Sequence, residues 1–129
     1  MRGEIALDSS VAVDLLAGDI KCLEQVNKYN TLYMPVPVVG ELIYGALISL
    51  QVEKNLAGVN KLISRSKLIP CDYKTAERYA RVKAELKETG KPIPETDLWI
   101  SACCLEQNVA LATRDRHFDH IKSLEKENW

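Results

Sequence analysis

Short apolar runs separated by helix-length segments are the feature that most narrows the fold of this chain. Ile5-Ala6-Leu7, Leu32-Tyr33-Met34-Pro35-Val36, Lys67-Leu68-Ile69 and Val109-Ala110-Leu111-Ala112 each have the length and content of a strand buried on both faces. Between them the pattern is helical. Residues 11–16, capped by Ser9 or Ser10, and 20–29, capped by Asp19, follow the first run, with Gly18 closing the former. Pro37 suits the first turn of a helix reaching about Leu50, and a further helix covers residues 53–64. Residues 73–89, capped by Asp72 and ended by Gly90, form the longest helix; the last runs from Thr96, a good N-cap, to Gln107. The tail from His117 to Trp129 is read as partly helical, with room for a final short strand. This alternation predicts an α/β fold: a central parallel sheet of four to five strands flanked by helices. Right-handed crossovers put all strand C-terminal ends on one edge, where such sheets bind ligands.

With 129 residues, 47% hydrophobic and 27% charged, the chain suits a single domain spanning 1–129, and no repeat or linker divides it. A net charge of -1 leaves no overall basic field to draw in nucleic acid, so a polyanion must be held by a local patch or through a bound cation. Cys22, Cys71, Cys103 and Cys104 form no C-x-x-C pair, which argues against zinc and for small buried thiols in a reducing cytosol. The first candidate strand starts too early for a signal peptide, and no apolar run is long enough to span a bilayer. The expected location is the cytoplasm.

Four acids stand where these elements meet. Asp8 follows the first strand, Glu41 lies near the start of the helix after the second, Asp97 opens the last helix and Asp115 follows the fourth strand. Each alone can be a cap or a partner for a helix dipole. Jointly they are harder to dismiss, because tightly apolar residues (Leu7, Leu42, Leu98, Leu111) neighbour all of them. Asp97 poses a topological problem, since its helix leads into strand four and so should begin at the opposite edge. It reaches the others only if the proline-stiffened 90–95 loop carries the chain back over the C-terminal edge. If the four converge, each pair about 5 Å apart repels by roughly 3 kcal/mol at an effective dielectric near ~20. A divalent cation offsets that repulsion, and all-oxygen donors select Mg²⁺ or Mn²⁺. The substrate suited to such a centre is a phosphodiester, cleaved in line by a metal-activated water.

Leu7-Asp8-Ser9-Ser10, Val39-Gly40-Glu41-Leu42, Thr96-Asp97-Leu98-Trp99-Ile100-Ser101-Ala102 and Thr113-Arg114-Asp115 together resemble a PIN-domain ribonuclease, most closely the VapC toxins of VapBC toxin–antitoxin pairs. The resemblance covers essentially the full chain and implies a PIN-like three-layer sandwich. It implies that Asp8, Glu41, Asp97 and Asp115 are the metal-binding, catalytic acids of an endoribonuclease using Mg²⁺ or Mn²⁺, supported by a hydroxyl at Ser9 or Thr113. A homodimer is implied, as is a VapB-like antitoxin that covers the groove and presents a basic residue to the acids. Where many relatives carry Asn or Asp before the third acid this chain has Thr96, a cap or a support to the metal shell. Asp119 can replace or assist Asp115, since relatives vary in acid spacing here.

Arg114, Arg116 and His117 cluster beside the fourth acid and can form a phosphate-binding rim that answers the missing overall basic charge; ordinary loop solvation explains them as well. A transition-metal site at His117 and His120 is the weaker alternative, and Lys83, Lys87 and Lys91 read as a solvated helix face. Two rival enzyme classes lack their residues. A phosphatase with a nucleophilic aspartate needs a second Asp where Ser10 stands, and a phospho-receiver needs a Lys after the last strand. A nuclease of RNA processing without a toxin role, or a non-catalytic partner-binding module, remains as the alternative; the complete acid set argues against the module.

Overall fold

The computed structural model describes residues 2–129. Five strands, β1 (Arg2–Leu7), β2 (Tyr29–Pro35), β3 (Ser66–Ile69), β4 (Leu111–Thr113) and β5 (Lys126–Asn128), form one sheet in the order β3-β2-β1-β4-β5. Every pairing is parallel. Among the described residues six helices flank it: α1 (Ser9–Leu16), α2 (Ile20–Val26), α3 (Val36–Leu47), α4 (Val52–Ser64), α5 (Tyr73–Thr89) and α6 (Glu95–Gln107). The core is the apolar content of the central strands, Ile5, Leu7, Met34 and Leu111, closed by Ile100 and Phe118, all fully buried. β2 and β4 leave β1 on opposite sides, so strand order reverses between β1 and β4, and their C-terminal ends open the crevice where α/β sheets place ligands.

The problem posed by Asp97 is solved by an antiparallel helix pair. Arg78 of α5 pairs with Glu106 of α6, Tyr79 stacks on Trp99 at 4.2 Å, and Lys83 bonds Glu95, so partners descend α6 as α5 is climbed. α5 ends at Gly90, whose φ of 68° is the left-handed geometry glycine adopts without strain. The loop through Pro92 and Pro94 then turns the chain, and α6 descends from the C-terminal edge of the sheet to the start of β4. Its first turn carries Asp97. The path expected for the 90–95 loop is the one adopted.

Several boundaries differ from expectation. Ser9 and Ser10 are not caps but the first residues of α1, with Asp8 in the cap position. α2 stops at Val26, and Tyr29 belongs to β2, where it pairs with Arg2 in register and its ring stacks against Trp129. Thr96 is not the N-cap of α6. The helix starts one residue sooner, after Pro94, whose extended backbone already ends the loop and whose missing N–H costs nothing there. β4 is shifted toward Thr113 because Asn108 takes a left-handed φ of 55° and Val109 closes the helix end by donating to the Cys104 carbonyl. The tail resolves into a 3-10 helix, Arg116–His120, and β5, which pairs with β4. No helix among the described residues is long and apolar enough to cross a membrane.

Candidate active site

Asp8 follows directly from the burial of β1: three fully buried residues deliver it to the sheet edge, only 3% exposed. Its position would let it cap α1, yet its side chain makes no cap hydrogen bond. Instead Oδ2 accepts from Ser10 Oγ and from Thr113 Oγ1, both at 2.8 Å. Thr113, buried at the end of β4, is held in turn as an acceptor for the Asp115 N–H at 2.9 Å. Ser10 Oγ accepts from the Arg114 N–H at 3.0 Å. Two hydroxyls thus orient one carboxylate oxygen and satisfy the polar groups that the strand ends bury.

The other acids arrive from separate elements. Asp97 and Asp115 meet at His117, whose Nδ1 lies 3.2 Å from Asp97 Oδ2 and 3.0 Å from Asp115 Oδ1. One donor atom from each of these three residues falls within 4.8 Å of the others. Asp115 also caps the 3-10 helix, accepting from the His117 N–H at 2.9 Å. Glu41, exposed on α3, accepts a hydrogen bond from Ser9 Oγ, which ties it to the residue after Asp8. Ser101 is fully buried and donates to the Asp97 carbonyl at 2.8 Å, bracing the turn that carries that carboxylate.

The charges explain the strain of this arrangement. Burial, then the negative charge of Asp8, push the Asp97 carboxyl up to about 6 from its ordinary 3.8; Asp115 adds to the rise and His117 opposes it. A folded value above the unfolded one means that the protonated form favours folding. The contribution is complete below about pH 4 and is lost as pH rises through about 6, leaving uncompensated repulsion at neutral pH. In chelator, the wild-type thermal midpoint is therefore expected to fall between about pH 5 and about pH 8. Asp97→Asn should remove most of that fall, equivalent to about 1–3 kcal/mol, in parallel calorimetric scans. An identical pH dependence in both proteins would contradict this electrostatic picture.

Not every predicted residue joins the cluster. Arg114 is committed elsewhere. Its Nη1 pairs with Asp14 at 2.6 Å and Asp19 at 2.9 Å, and its Nε donates to the Trp129 carbonyl at 3.0 Å. It fastens α1 and α2 to the end of the sheet, a structural use at odds with a phosphate-binding rim. Hydrogen bonding from its guanidinium holds the Asp19 carboxyl down at about 2. Asp119 pairs with Lys126 at 3.3 Å and stays outside the group that Asp115 enters. Arg116 is exposed beside a polar cleft of about 360 Å³ that it shares with Lys21 and Asn128. Thr96 is half-buried in the first turn of α6, one residue from Asp97. Ser10 and Ser101 were not anticipated as supports; the only signal for Ser10 is its place just after Asp8 at a strand-to-helix junction.

The chain as a whole is similar to known proteins. The PIN domain family matches residues 5–124. The chain is 35% identical to Ribonuclease VapC2 of Haemophilus influenzae over 92 residues, 70% of each chain. It belongs to the PIN-domain family, in its VapC group. Another VapC relative, the tRNA(fMet)-specific endonuclease VapC of Salmonella typhimurium, is 34% identical over 90 residues, 69% of this chain and 68% of that one. Among solved structures, DNA-bound VapBC from Salmonella typhimurium superposes with a TM-score of 0.91 at 28% identity, covering 100% of this chain and 99% of the other. The acidic group of Asp97 and Asp115 with His117 is of a kind that can hold a divalent metal, as PIN nucleases generally do.

Proposed function

We propose that this VapC-group protein is the toxin of a type II toxin–antitoxin pair, an endoribonuclease that hydrolyses RNA phosphodiesters with Mg²⁺ or Mn²⁺. The observation that carries the reading is the convergence of Asp97, Asp115 and His117 beside a buried, oriented Asp8, with the Asp97 carboxyl pushed up to about 6 by burial and then by the charge of Asp8. That donor set fits a hard divalent cation: it is dominated by carboxylate oxygens, and it carries repulsion that only a positive charge relieves. Asp8, Asp97 and Asp115 would hold the ion, with Glu41 at the rim. When bound, the ion supplies Lewis-acid polarisation of the phosphate and lowers the pKa of water.

The chain's own residues do the remaining work. Ser10 and Thr113 fix Asp8 through Oδ2 and leave Oδ1 uncommitted. Ser9 holds Glu41 through Oε1, which leaves Oε2 to orient a water and accept its proton. Thr96, one residue before Asp97 in the first turn of α6, is assigned a supporting role there. Arg116, exposed and next to Asp115, is assigned to the RNA backbone, where a cation positions phosphate without reading sequence. The reading includes a cytoplasmic location, the compartment that holds such an RNA substrate. Incubating the purified chain with tRNA, the substrate class named for the Salmonella relative, and Mn²⁺ should yield discrete cleavage products; intact RNA under these conditions, with rRNA and mRNA also uncut, would overturn the reading.

The antitoxin is a VapB-like chain, and the same reading includes a toxin homodimer. We assign the antitoxin to an apolar groove of about 460 Å³ between α1, α3 and α4, lined by Val13, Leu16, Leu42, Ala46 and Val59. Glu41 lies in the same groove, so a helix seated there could present a basic side chain to the acids. Gly45 also lines it, and a Cβ built there meets nothing within 4 Å. Gly45→Arg should therefore fold normally and bind antitoxin at least ~100-fold more weakly, because an apolar helix would have to bury a charge. Unchanged affinity by calorimetry would place the antitoxin elsewhere.

A further inference from the structure

The four cysteines do not all behave as buried, inert thiols. Cys22, Cys103 and Cys104 are fully buried, whereas Cys71 is exposed in the link between β3 and α5. Its Sγ lies 3.6 Å from Sγ of Cys103, in the middle of α6. That is van der Waals contact, about 1.6 Å longer than a disulfide bond. Both sulfurs are presented by anchored backbone. Cys71 sits between the last residue of β3 and the Asp72–Thr75 capping box, in which Asp72 accepts from the Thr75 N–H at 3.1 Å. Cys103 belongs to the most deeply buried stretch of α6, and its Sγ lies 4.0 Å from the Pro70 carbonyl oxygen. Closing the bond requires the two sulfurs to approach by about 1.6 Å.

We propose that Cys71 and Cys103 are a thiol–disulfide couple, oxidised by a small peroxide, which staples the helix carrying Asp97 to the β3–α5 link. The accessible Cys71 reacts first. Its thiolate attacks one peroxide oxygen, the O–O bond breaks, and water leaves a sulfenic acid on Cys71. Cys103 then gives up its proton and attacks the Cys71 sulfur; the S–O bond breaks and a second water departs. Two thiols lose two electrons, and one hydrogen peroxide becomes two waters. Burial, then the neighbouring Cys71 sulfur, keep the Cys103 thiol protonated, which suits it to the resolving step and not to the first encounter. The bridge closes a long loop that contains all of α5, so it restricts the unfolded chain strongly. An external thiol reverses it.

The test uses the full chain treated with equimolar hydrogen peroxide, followed by peptide mapping without reduction and by thermal unfolding. A Cys71–Cys103 linked peptide is expected, together with a thermal midpoint raised by roughly 5–15 °C and restored by dithiothreitol. Cys71→Ser, a change at an exposed position, should abolish both effects without lowering the midpoint of the reduced protein. Cys71 found as sulfinic acid without a link, a Cys71–Cys71 bridge between two chains, or a linked protein with an unchanged midpoint would each overturn the proposal.

Discussion

Asp97→Asn is expected to abolish RNA cleavage, by at least ~10³-fold in kcat/KM, while the metal-free protein becomes more stable at neutral pH. The two effects have one cause. The carboxylate sits under the field of Asp8 and Asp115 in a half-buried place, so removing its charge relieves repulsion that the fold otherwise bears. The same charge is what a cation would use. A residue kept only to help α6 begin would behave differently: its loss would lower stability by a few tenths to about 1 kcal/mol and leave cleavage intact. Asp8→Asn should be as damaging to activity. Its amide still accepts from Ser10 and Thr113 through the oxygen, so the fold survives, but the charge at the β1 end is gone. A full cleavage rate in either purified variant would remove both residues from the chemistry.

Removing divalent metal is the second large effect. In excess EDTA the protein should cleave no RNA, and added Mg²⁺ or Mn²⁺ should restore cleavage. Restoration should weaken as pH falls through about 6, because protons then compete for Asp97. Cleavage that persists under chelation would mean that the acids serve some chemistry other than cation binding.

The apolar runs and their helical separators are local signals, so the four elements on the path from Asp8 to Glu41, and the α/β class itself, are legible in the sequence. Asp8, Glu41, Asp97 and Asp115 were visible as acids at the junctions of those elements. Their support was not. That Ser10 and Thr113 share one oxygen of Asp8 depends on the parallel pairing of β1 with β4, in which Leu7 lies opposite Ala112, and no pattern within either segment encodes it. Arg114 misled for the same reason. A basic residue beside an acid looks like a phosphate contact until α1 and α2 bring Asp14 and Asp19 to it. Cys71 and Cys103 are likewise joined only by the packing of the β3–α5 link on α6. β5 is not legible in the sequence because its Lys-Glu-Asn composition is a poor strand former and owes its conformation to pairing with the edge of β4.

Manganese binding followed by calorimetry and electron paramagnetic resonance, in wild type and Asp97→Asn at about pH 6, tests the central claim most directly. The wild-type protein should take up Mn²⁺ saturably and release protons as it does so, because the Asp97 carboxyl is about half protonated there. In Asp97→Asn the binding should weaken by at least ~10-fold, and most of that proton release should vanish. No saturable uptake by the wild type, or uptake and proton release indifferent to Asp97, would show that these acids do not form one cation site.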